Sequence, residues 1–314
     1  RGVKNAELID EFKLIDSINE SYHPSEDYDA YMKLAEEPEL ELVISNTTEA
    51  GITDRPEDQL DDEPPQSYPG KLTQFLYRRF KHFAGSKDAG LIILPVELIE
   101  QNGQKLKEIV FKHATRWELE EDFKTWLDDA CVFTSTLVDR IVSGYPKDDI
   151  EAFEERLGYK DQLLTVAEPF GLWVIETSDP RVQKAFPLDE IGLPIVYTED
   201  QTPYRERKVR ILNGAHTSSV LAAYLAGLSN VKELMDDPDF GAFLRQTVLE
   251  EIVPTVPLPE EEARAFALDV FERFENPFVD HKLISISLNS VSKWKARILP
   301  SLKDSLEMTG ALPK

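Results

Sequence analysis

The sequence predicts two domains of different class, an α/β domain followed by an all-helical one. As far as about residue 200, short apolar runs of strand length alternate with helical patterns, which is typical of a parallel or mixed α/β sheet. Beyond about residue 203 the strand signals stop and one helical pattern follows another. A chain of 314 residues is long enough for two domains of ordinary size. We therefore expect an α/β domain over 1–203 and a helical domain over 204–314.

The α/β domain is predicted from four apolar runs and the helical patterns between them. The predicted strands lie at 40–45, 89–99, 172–177 and 193–200, and the predicted helices at 27–35, 71–85, 103–117 and 120–131. The first strand leads into the polar loop NTTEAG, which is the place where open α/β sheets bind ligands. In the second domain, helices are predicted at 209–228, 239–252, 259–275 and 279–297.

The composition restricts the classes of partner. A net charge of −24 disfavours nucleic acid and anionic membrane, although a few local cations could still hold a small anionic substrate. No apolar run approaches the ~18 residues of a membrane span, and the first residues do not have the pattern of a signal peptide. The single cysteine, Cys131, excludes an internal disulfide and is expected to be a buried structural residue. We expect a cytoplasmic protein.

The segment KVRILNGAH contains the most suggestive polar residues. On an α-helix, Lys208, Asn213 and His216 would fall within an arc of about 140° and could converge on one small ligand. The same residues could equally be a solvated lysine, a helix-bracing asparagine and a core histidine. Ser218 and Ser219 do not lie in a nucleophile elbow, and His216 has no second histidine at metal-ligand spacing. Neither a serine hydrolase nor a metal site is therefore predicted.

Six segments, in order, resemble the mannitol dehydrogenase family of polyol-specific long-chain dehydrogenases. Its signature of Lys, four residues, Asn, two residues and His matches KVRILNGAH. The other matching segments are SNTTEAG, ELIEQNG, TLVDRIVSGYP, AEPFGLWVIE and FENPFVDHKL with SVSKWKARILP. The resemblance implies a Rossmann-like NAD-binding domain followed by a helical substrate domain. No glycine-rich phosphate loop occurs in the sequence, so we expect the N-terminal part of the Rossmann domain to be missing. The sequence ends at GALPK without a helix cap, so we expect the end of the helical domain to be missing as well.

The resemblance also implies roles for individual residues. Lys208 would be the general acid/base, Asn213 would hydrogen-bond the developing alkoxide, and His216 would hold substrate hydroxyls. The loop Asn46, Thr47, Thr48 and Glu49 would line the nicotinamide side of NAD. No metal is required by this chemistry.

The subgroup that the sequence resembles most comprises the members that reduce tagaturonate to altronate with NADH. Mannitol-type members carry Asp-Asn in place of Glu97-Leu98 and arginine in place of Ser285, and these departures fit a different polyol pocket. For the carboxylate of such a sugar acid we expect His281, Lys282 or Lys293 as the partner.

Several readings stay open. Asp139 would orient a group of the site or pair structurally with a cation. Reduction of fructuronate, oxidation of a mannitol-type polyol, and a non-catalytic remnant of the fold are the alternatives for the whole chain. The choice between NAD and NADP, and the oligomeric state, are not decided by the sequence.

Overall fold

The computed structural model describes residues 1–48 and 50–313. The described strands are β1 (Gly2–Lys4), β2 (Glu7–Ile9), β3 (Leu42–Ser45), β4 (Ile92–Pro95), β5 (Val132–Phe133), β6 (Ser135–Asp139), β7 (Val142–Gly144), β8 (Val166–Ala167), β9 (Leu172–Glu176) and β10 (Ile195–Thr198). Four of them coincide with the four predicted strands. The remaining six were not predicted, because runs of two to five residues give too few positions for a reliable pattern.

Helices provide most of the regular structure. The described α-helices are α1 (Tyr28–Lys33), α2 (Tyr68–His82), α3 (Asn102–Arg116), α4 (Glu121–Asp129), α5 (Ile150–Leu157), α6 (Pro180–Ala185), α7 (Thr202–Arg207), α8 (Gly214–Leu225), α9 (Val231–Asp236), α10 (Pro238–Gln246), α11 (Glu260–Phe274), α12 (Leu283–Ser287), α13 (Ser290–Arg297) and α14 (Leu299–Thr309). Two π-helical turns, Lys208–Asn213 and Thr247–Ile252, replace α-helix inside predicted helices.

The first compact unit comprises residues 13–138 and 172–201 and has α/β architecture. Strands β3, β4 and β5 pair in parallel, and so do β9 and β10, to which β6 is added on the other edge of β9. All four residues of β4 are buried, as expected for a central parallel strand. Helices α2, α3 and α4 pack their apolar faces into one core with this sheet.

Local sequence explains the helix beside that sheet. Ser67 accepts a hydrogen bond from the Gly70 N–H, and Pro69 occupies the first turn, so α2 begins three residues before the predicted start. Cys131, at the end of the same core, is buried as predicted, and burial raises the pKa of its thiol to about 12.

The second compact unit comprises residues 1–12, 139–171 and 202–314. Its helices α8–α12 surround a core of aliphatic and phenylalanine side chains, and the hairpins β1–β2 and β7–β8 belong to it as well. The sequence interpretation assigned 1–12 and 139–171 to the first domain, whereas by contacts they group with the helices. The predicted limits of the two domains stay a prediction.

Candidate active site

A π-helical turn supports the segment that the sequence singled out. Residues 208–213 lie between α7 and α8, and the Gly214 N–H donates to the carbonyl oxygen of Val209, five residues earlier. Such turns have i→i+5 hydrogen bonds and occur frequently at functional sites. The α-helical rotation of 100° per residue assumed for Lys208 and Asn213 is therefore wrong in this turn. Only the structure shows which groups they meet.

A cavity of about 200 Å³ lies within the helical unit, at the end of this turn. Its polar lining consists of Asp139, Asn213, His216, Arg273 and His281, and the rest of the wall is aliphatic or phenylalanine. Asp139 comes from β6, Asn213 and His216 from the π-helical turn and α8, and Arg273 and His281 from the end of α11 and the loop after it. The cavity thus combines hydrogen-bond donors, hydrogen-bond acceptors and charges of both signs with an apolar wall, as small-molecule sites do.

His216 is a buried titratable group of the cavity that packs against two other rings. Its ring stacks on Phe274 at 4.2 Å between centroids, and the edge of His281 faces it at 5.2 Å. Burial lowers the pKa of His216 well below its ordinary value, and His281, Arg297, Arg273 and Lys293 lower it further by charge repulsion. The imidazole is therefore neutral near pH 7. A neutral imidazole has one donor and one acceptor nitrogen, which suits it to bind a hydroxyl group.

One nitrogen of His216 has a further property. Among the described residues, no group forms a hydrogen bond with the buried Nδ1 atom. Buried polar atoms are normally satisfied, so this atom indicates a site for a ligand or an ordered water. This observation favours the functional reading of His216 over that of a satisfied core histidine.

Asp139 and Arg273 form a buried ion pair in the wall of the cavity. Arg273 donates from Nη2 to Oδ1 of Asp139 at 3.0 Å and from Nη1 to Oδ2 at 3.2 Å, and its Nε donates to Glu168 at 3.0 Å. Burial lowers the pKa of the guanidinium, but hydrogen bonds and charges of Asp139 and Glu168 outweigh burial and raise it. Two carboxylates thus hold one arginine in a fixed orientation. Sequence reasoning missed Arg273 and Glu168, because only the fold brings them to Asp139.

Lys208 reaches the same carboxylate from the π-helical turn. Its Nζ atom lies 3.6 Å from Oδ1 of Asp139, and 17% of the side chain is exposed. The neighbouring cations in sequence lie elsewhere: Arg207 pairs with Glu262, and Arg210 with Asp304. The charge of each of these two arginines is thus balanced by a carboxylate of its own.

The three predicted partners of a substrate carboxylate lie in different surroundings. His281 lines the cavity. Lys282 is exposed and forms an ion pair with Asp280 at 2.7 Å, so the structure does not place it at the cavity. Lys293 is half-buried, and its Nζ donates to the carbonyl oxygen of Ile286 at 2.7 Å. Ser285, at the position of the family's arginine, is also exposed.

The predicted cofactor loop follows β3 in the α/β unit. Glu97, which is buried, accepts hydrogen bonds from the Thr47 N–H and hydroxyl at 3.0 and 2.7 Å and from the Ser45 hydroxyl at 3.0 Å. The side chains of Asn46, Thr47 and Thr48 remain exposed, and Glu49 lies outside the described residues. Glu97, noted in the sequence only as a departure from the family, therefore fixes the start of the loop at the carboxyl ends of two parallel strands.

Asn102 reinforces this edge of the sheet. Its amide donates to the carbonyl oxygens of Pro95, Glu97 and Thr136 at 2.9–3.0 Å, and its oxygen accepts from the Thr136 N–H. Asn102 belongs to the segment ELIEQNG, but its hydrogen bonds could not be predicted from the sequence. The loop of the predicted cofactor site thus rests on a satisfied buried network.

Two classes of site are not found in the described part of the chain. Residues 1–48 and 50–313 contain no cluster of three or more His, Cys, Asp or Glu side chains that could hold a metal ion. Among the described helices, none has both the length and the apolar character of a membrane span.

The parallel α/β unit and the helical unit, whose cavity is lined by Asn213 and His216, match two domain profiles of one family. The profile of the mannitol dehydrogenase Rossmann domain matches residues 4–187, and that of the mannitol dehydrogenase C-terminal domain matches residues 200–314. The chain belongs to the mannitol dehydrogenase family. The prediction of a Rossmann-like domain followed by a helical domain is thereby confirmed.

Curated relatives support a narrower similarity. The chain is 48% identical over 314 residues to altronate oxidoreductases of Phocaeicola vulgatus and Bacteroides thetaiotaomicron, and 45% identical to that of an Enterobacter species. The match covers all of this chain but 65% of each relative. The chain thus spans slightly less than two thirds of their length.

Solved structures show the same fold. D-sorbitol dehydrogenase matches with a TM-score of 0.75 and 22% identity, over 90% of this chain and 59% of that one. Mannitol 2-dehydrogenase of Pseudomonas fluorescens, solved with NAD and D-mannitol, matches with a TM-score of 0.63 and 23% identity, over 91% and 59%.

Proposed function

We propose that this chain belongs to an NAD-dependent oxidoreductase that interconverts D-tagaturonate and D-altronate. The observation that carries the proposal is the cavity at the π-helical turn, where Asn213 and His216 face the Asp139 carboxylate that Lys208 contacts. The similarity to altronate oxidoreductases supports the choice of substrate. The setting would be the cytoplasm, where sugar acids are broken down.

Each residue of the candidate site would have its own role in carbonyl reduction. The Lys208 ammonium would donate a proton to the oxygen of the ketone as that oxygen becomes an alkoxide. The Asn213 amide would donate a hydrogen bond to the same oxygen, which in other enzymes is worth about 3 kcal/mol of barrier. Neutral His216 would bind a neighbouring hydroxyl through its unsatisfied Nδ1 atom. Asp139 would keep the ammonium in place.

The α/β unit has features that fit the nicotinamide end of the dinucleotide. A polar loop with exposed Asn46, Thr47 and Thr48 follows a parallel strand, and Glu97 holds its first residues. Dinucleotides bind at this edge of Rossmann sheets. When bound, the cofactor would supply the hydride that the substrate carbon accepts.

The direct test is a substrate panel. The purified protein is mixed with NADH and, separately, tagaturonate, fructuronate, tagatose or fructose, and NADH oxidation is followed at 340 nm as a readout. We expect the highest kcat/KM with tagaturonate and a loss of at least ~1,000-fold in kcat for Lys208→Met. The control Lys232→Met removes a lysine that pairs with Asp236 outside the cavity and should leave kcat unchanged.

Three outcomes would contradict the proposal. Fastest turnover of fructuronate would make the chain part of a fructuronate reductase, and fastest turnover of a neutral ketose would make it part of a polyol dehydrogenase. Failure to bind NADH in calorimetry would identify a non-catalytic form of the fold.

A further inference from the structure

Helix α13 presents two cations one turn apart beside His216. Lys293 and Arg297 are spaced i and i+4, so they share a face of α13. Nη1 of Arg297 lies 3.4 Å from the hydroxyl of Thr217, the residue after His216. The carbonyl oxygen of Arg297 lies 3.6 Å from the place that a Cβ on Gly214 would occupy. A Cβ there would make ordinary van der Waals contact, so the end of α13 lies against the beginning of α8.

This pair of cations differs from four arginines of the helical unit that have carboxylate partners. Arg207, Arg210, Arg245 and Arg273 each form an ion pair with a carboxylate. Among the described residues, neither Arg297 nor Lys293 has such a partner. Arg79 and Arg140 also lack a carboxylate partner, but they donate to backbone carbonyl oxygens at 2.6–3.1 Å, whereas the contact of Arg297 is a hydroxyl at 3.4 Å.

The surroundings of Arg297 are unfavourable to its charge. The guanidinium is half-buried, and burial lowers its pKa. Burial also lowers the pKa of Lys293, and the charge of Arg297 lowers it further. Two like charges withdrawn from water without a counter-ion cost free energy, and a bound anion would remove that cost. The site therefore favours a negatively charged ligand.

We propose that Arg297 binds the carboxylate of the sugar-acid substrate and thereby selects uronates over neutral ketoses. This inference rests on the proposed function, because the ketone must lie at Lys208 and Asn213 while the carboxylate extends past His216. The planar guanidinium matches a carboxylate in two parallel hydrogen bonds. Lys282 pairs with Asp280, and Lys293 donates to the carbonyl oxygen of Ile286. Within residues 1–48 and 50–313, the guanidinium of Arg297 has only the long contact to the neutral Thr217 hydroxyl.

The kinetic test compares an acid with its neutral analogue. Tagaturonate and tagatose differ at the end away from the ketone, where one has a carboxylate and the other CH2OH. We expect Arg297→Gln to raise the KM for tagaturonate about 10- to 100-fold, since a charged hydrogen bond is lost, and to leave kcat/KM for tagatose within about twofold. Arg297→Lys keeps the positive charge but lacks the planar guanidinium. Its KM for tagaturonate should lie between that of the unmodified protein and that of Arg297→Gln. Lys295→Gln, which removes an exposed cation of the same helix, is the matched control.

A binding test separates this inference from the proposed function. Calorimetry measures the affinity of the unmodified protein and each variant for altronate and for the hexitol with CH2OH in place of the carboxylate. A loss of altronate affinity in Arg297→Gln, with hexitol affinity unchanged, supports the role of Arg297 even if no substrate is turned over. Equal altronate affinity in Arg297→Gln and Lys295→Gln would overturn it, even if tagaturonate is reduced as proposed. Absence of altronate binding to the unmodified protein would overturn it too.

Discussion

The Nζ atom of Lys208 lies 3.6 Å from an oxygen of Asp139 that also accepts a hydrogen bond from Arg273 at 3.0 Å. The guanidinium holds both oxygens of the carboxylate, so the position of Asp139 is set by Arg273 and not by the lysine. Glu168 in turn holds Arg273. The ammonium therefore faces a carboxylate whose orientation is fixed before any substrate binds, which is the preorganisation that proton transfer needs.

The first prediction concerns this carboxylate. Asp139→Asn keeps the shape of the side chain but removes the charge that holds Lys208. Misplacement of a reacting group by about 1 Å can cost 100-fold in rate, so we expect kcat/KM for tagaturonate to fall between about 10- and 100-fold. Steady-state kinetics with NADH measures this change. Glu262→Gln, which alters the partner of Arg207 outside the cavity lining, should leave kcat/KM within about twofold. Equal values for both variants would show that Asp139 has no role in positioning.

The second prediction concerns the stability of the same network. Arg273→Met leaves Glu168 buried without its guanidinium partner, and Asp139 keeps only the Lys208 ammonium at 3.6 Å among the cations described here. Removal of one partner from a buried ion pair costs about 3–5 kcal/mol of unfolding free energy, whereas exposed pairs are worth less than about 1 kcal/mol. Arg245→Met breaks an ion pair to Glu275 that is much more exposed and serves as the control. In urea unfolding, Arg273→Met should lose much more unfolding free energy than Arg245→Met. Similar losses in the two variants would contradict the structural role given to Arg273.

Much of the fold could be predicted because its long elements have clear periodic patterns. Helices α2, α3 and α11 have apolar residues at helical spacing over 15 positions, and the predicted ranges overlap them. Strand β4 is a wholly apolar run and was predicted as well. By contrast, β7 and β8 have three and two residues, and their pairing depends on segments more than 20 residues apart. Local pattern contains no information on such pairing.

The candidate site was predictable only in part, for a related reason. The spacing of Lys208, Asn213 and His216 left their role open, and the resemblance to a family supplied it. The π-helical turn and the contact between Asp139 and Arg273 could not be predicted, because each depends on tertiary contacts and not on local sequence. Arg297 resembled an ordinary helix cation in the sequence. The inference that Arg297 binds a substrate carboxylate depends on the absence of a carboxylate partner among the described residues, and only a structure can show this absence.

The third prediction concerns pH. The folded state lowers the pKa of His216, so below about pH 6.5 the unfolded chain binds a proton that the folded chain resists. His216 therefore leaves the free energy of unfolding unchanged above about pH 6.5. Below that pH it lowers the free energy of unfolding, by at most about 1.4 kcal/mol per pH unit for one group. His113 and His281 contribute in the same direction.

A comparison of variants isolates the contribution of His216. Between pH 7.5 and 5.5, the unfolding free energy of His216→Gln should fall by about 1 kcal/mol less than that of the unmodified protein. His23→Gln changes an exposed histidine of the α/β unit and serves as the control. An identical loss in the two variants would contradict the buried neutral state of His216.

The fourth prediction tests the cofactor loop. Glu97 accepts two hydrogen bonds from Thr47 and one from Ser45, and Glu97→Ala leaves these donors, among them the buried Ser45 hydroxyl, without their acceptor. An unsatisfied buried group of this kind costs about 1–3 kcal/mol, and part of that cost should be met by displacement of the loop. We expect the dissociation constant for NADH, measured by calorimetry, to rise about tenfold. Glu41→Gln, an exposed change just before the same strand, should leave it unchanged. If both variants bind NADH equally well, the conformation that Glu97 imposes on the loop is not the one that binds the cofactor.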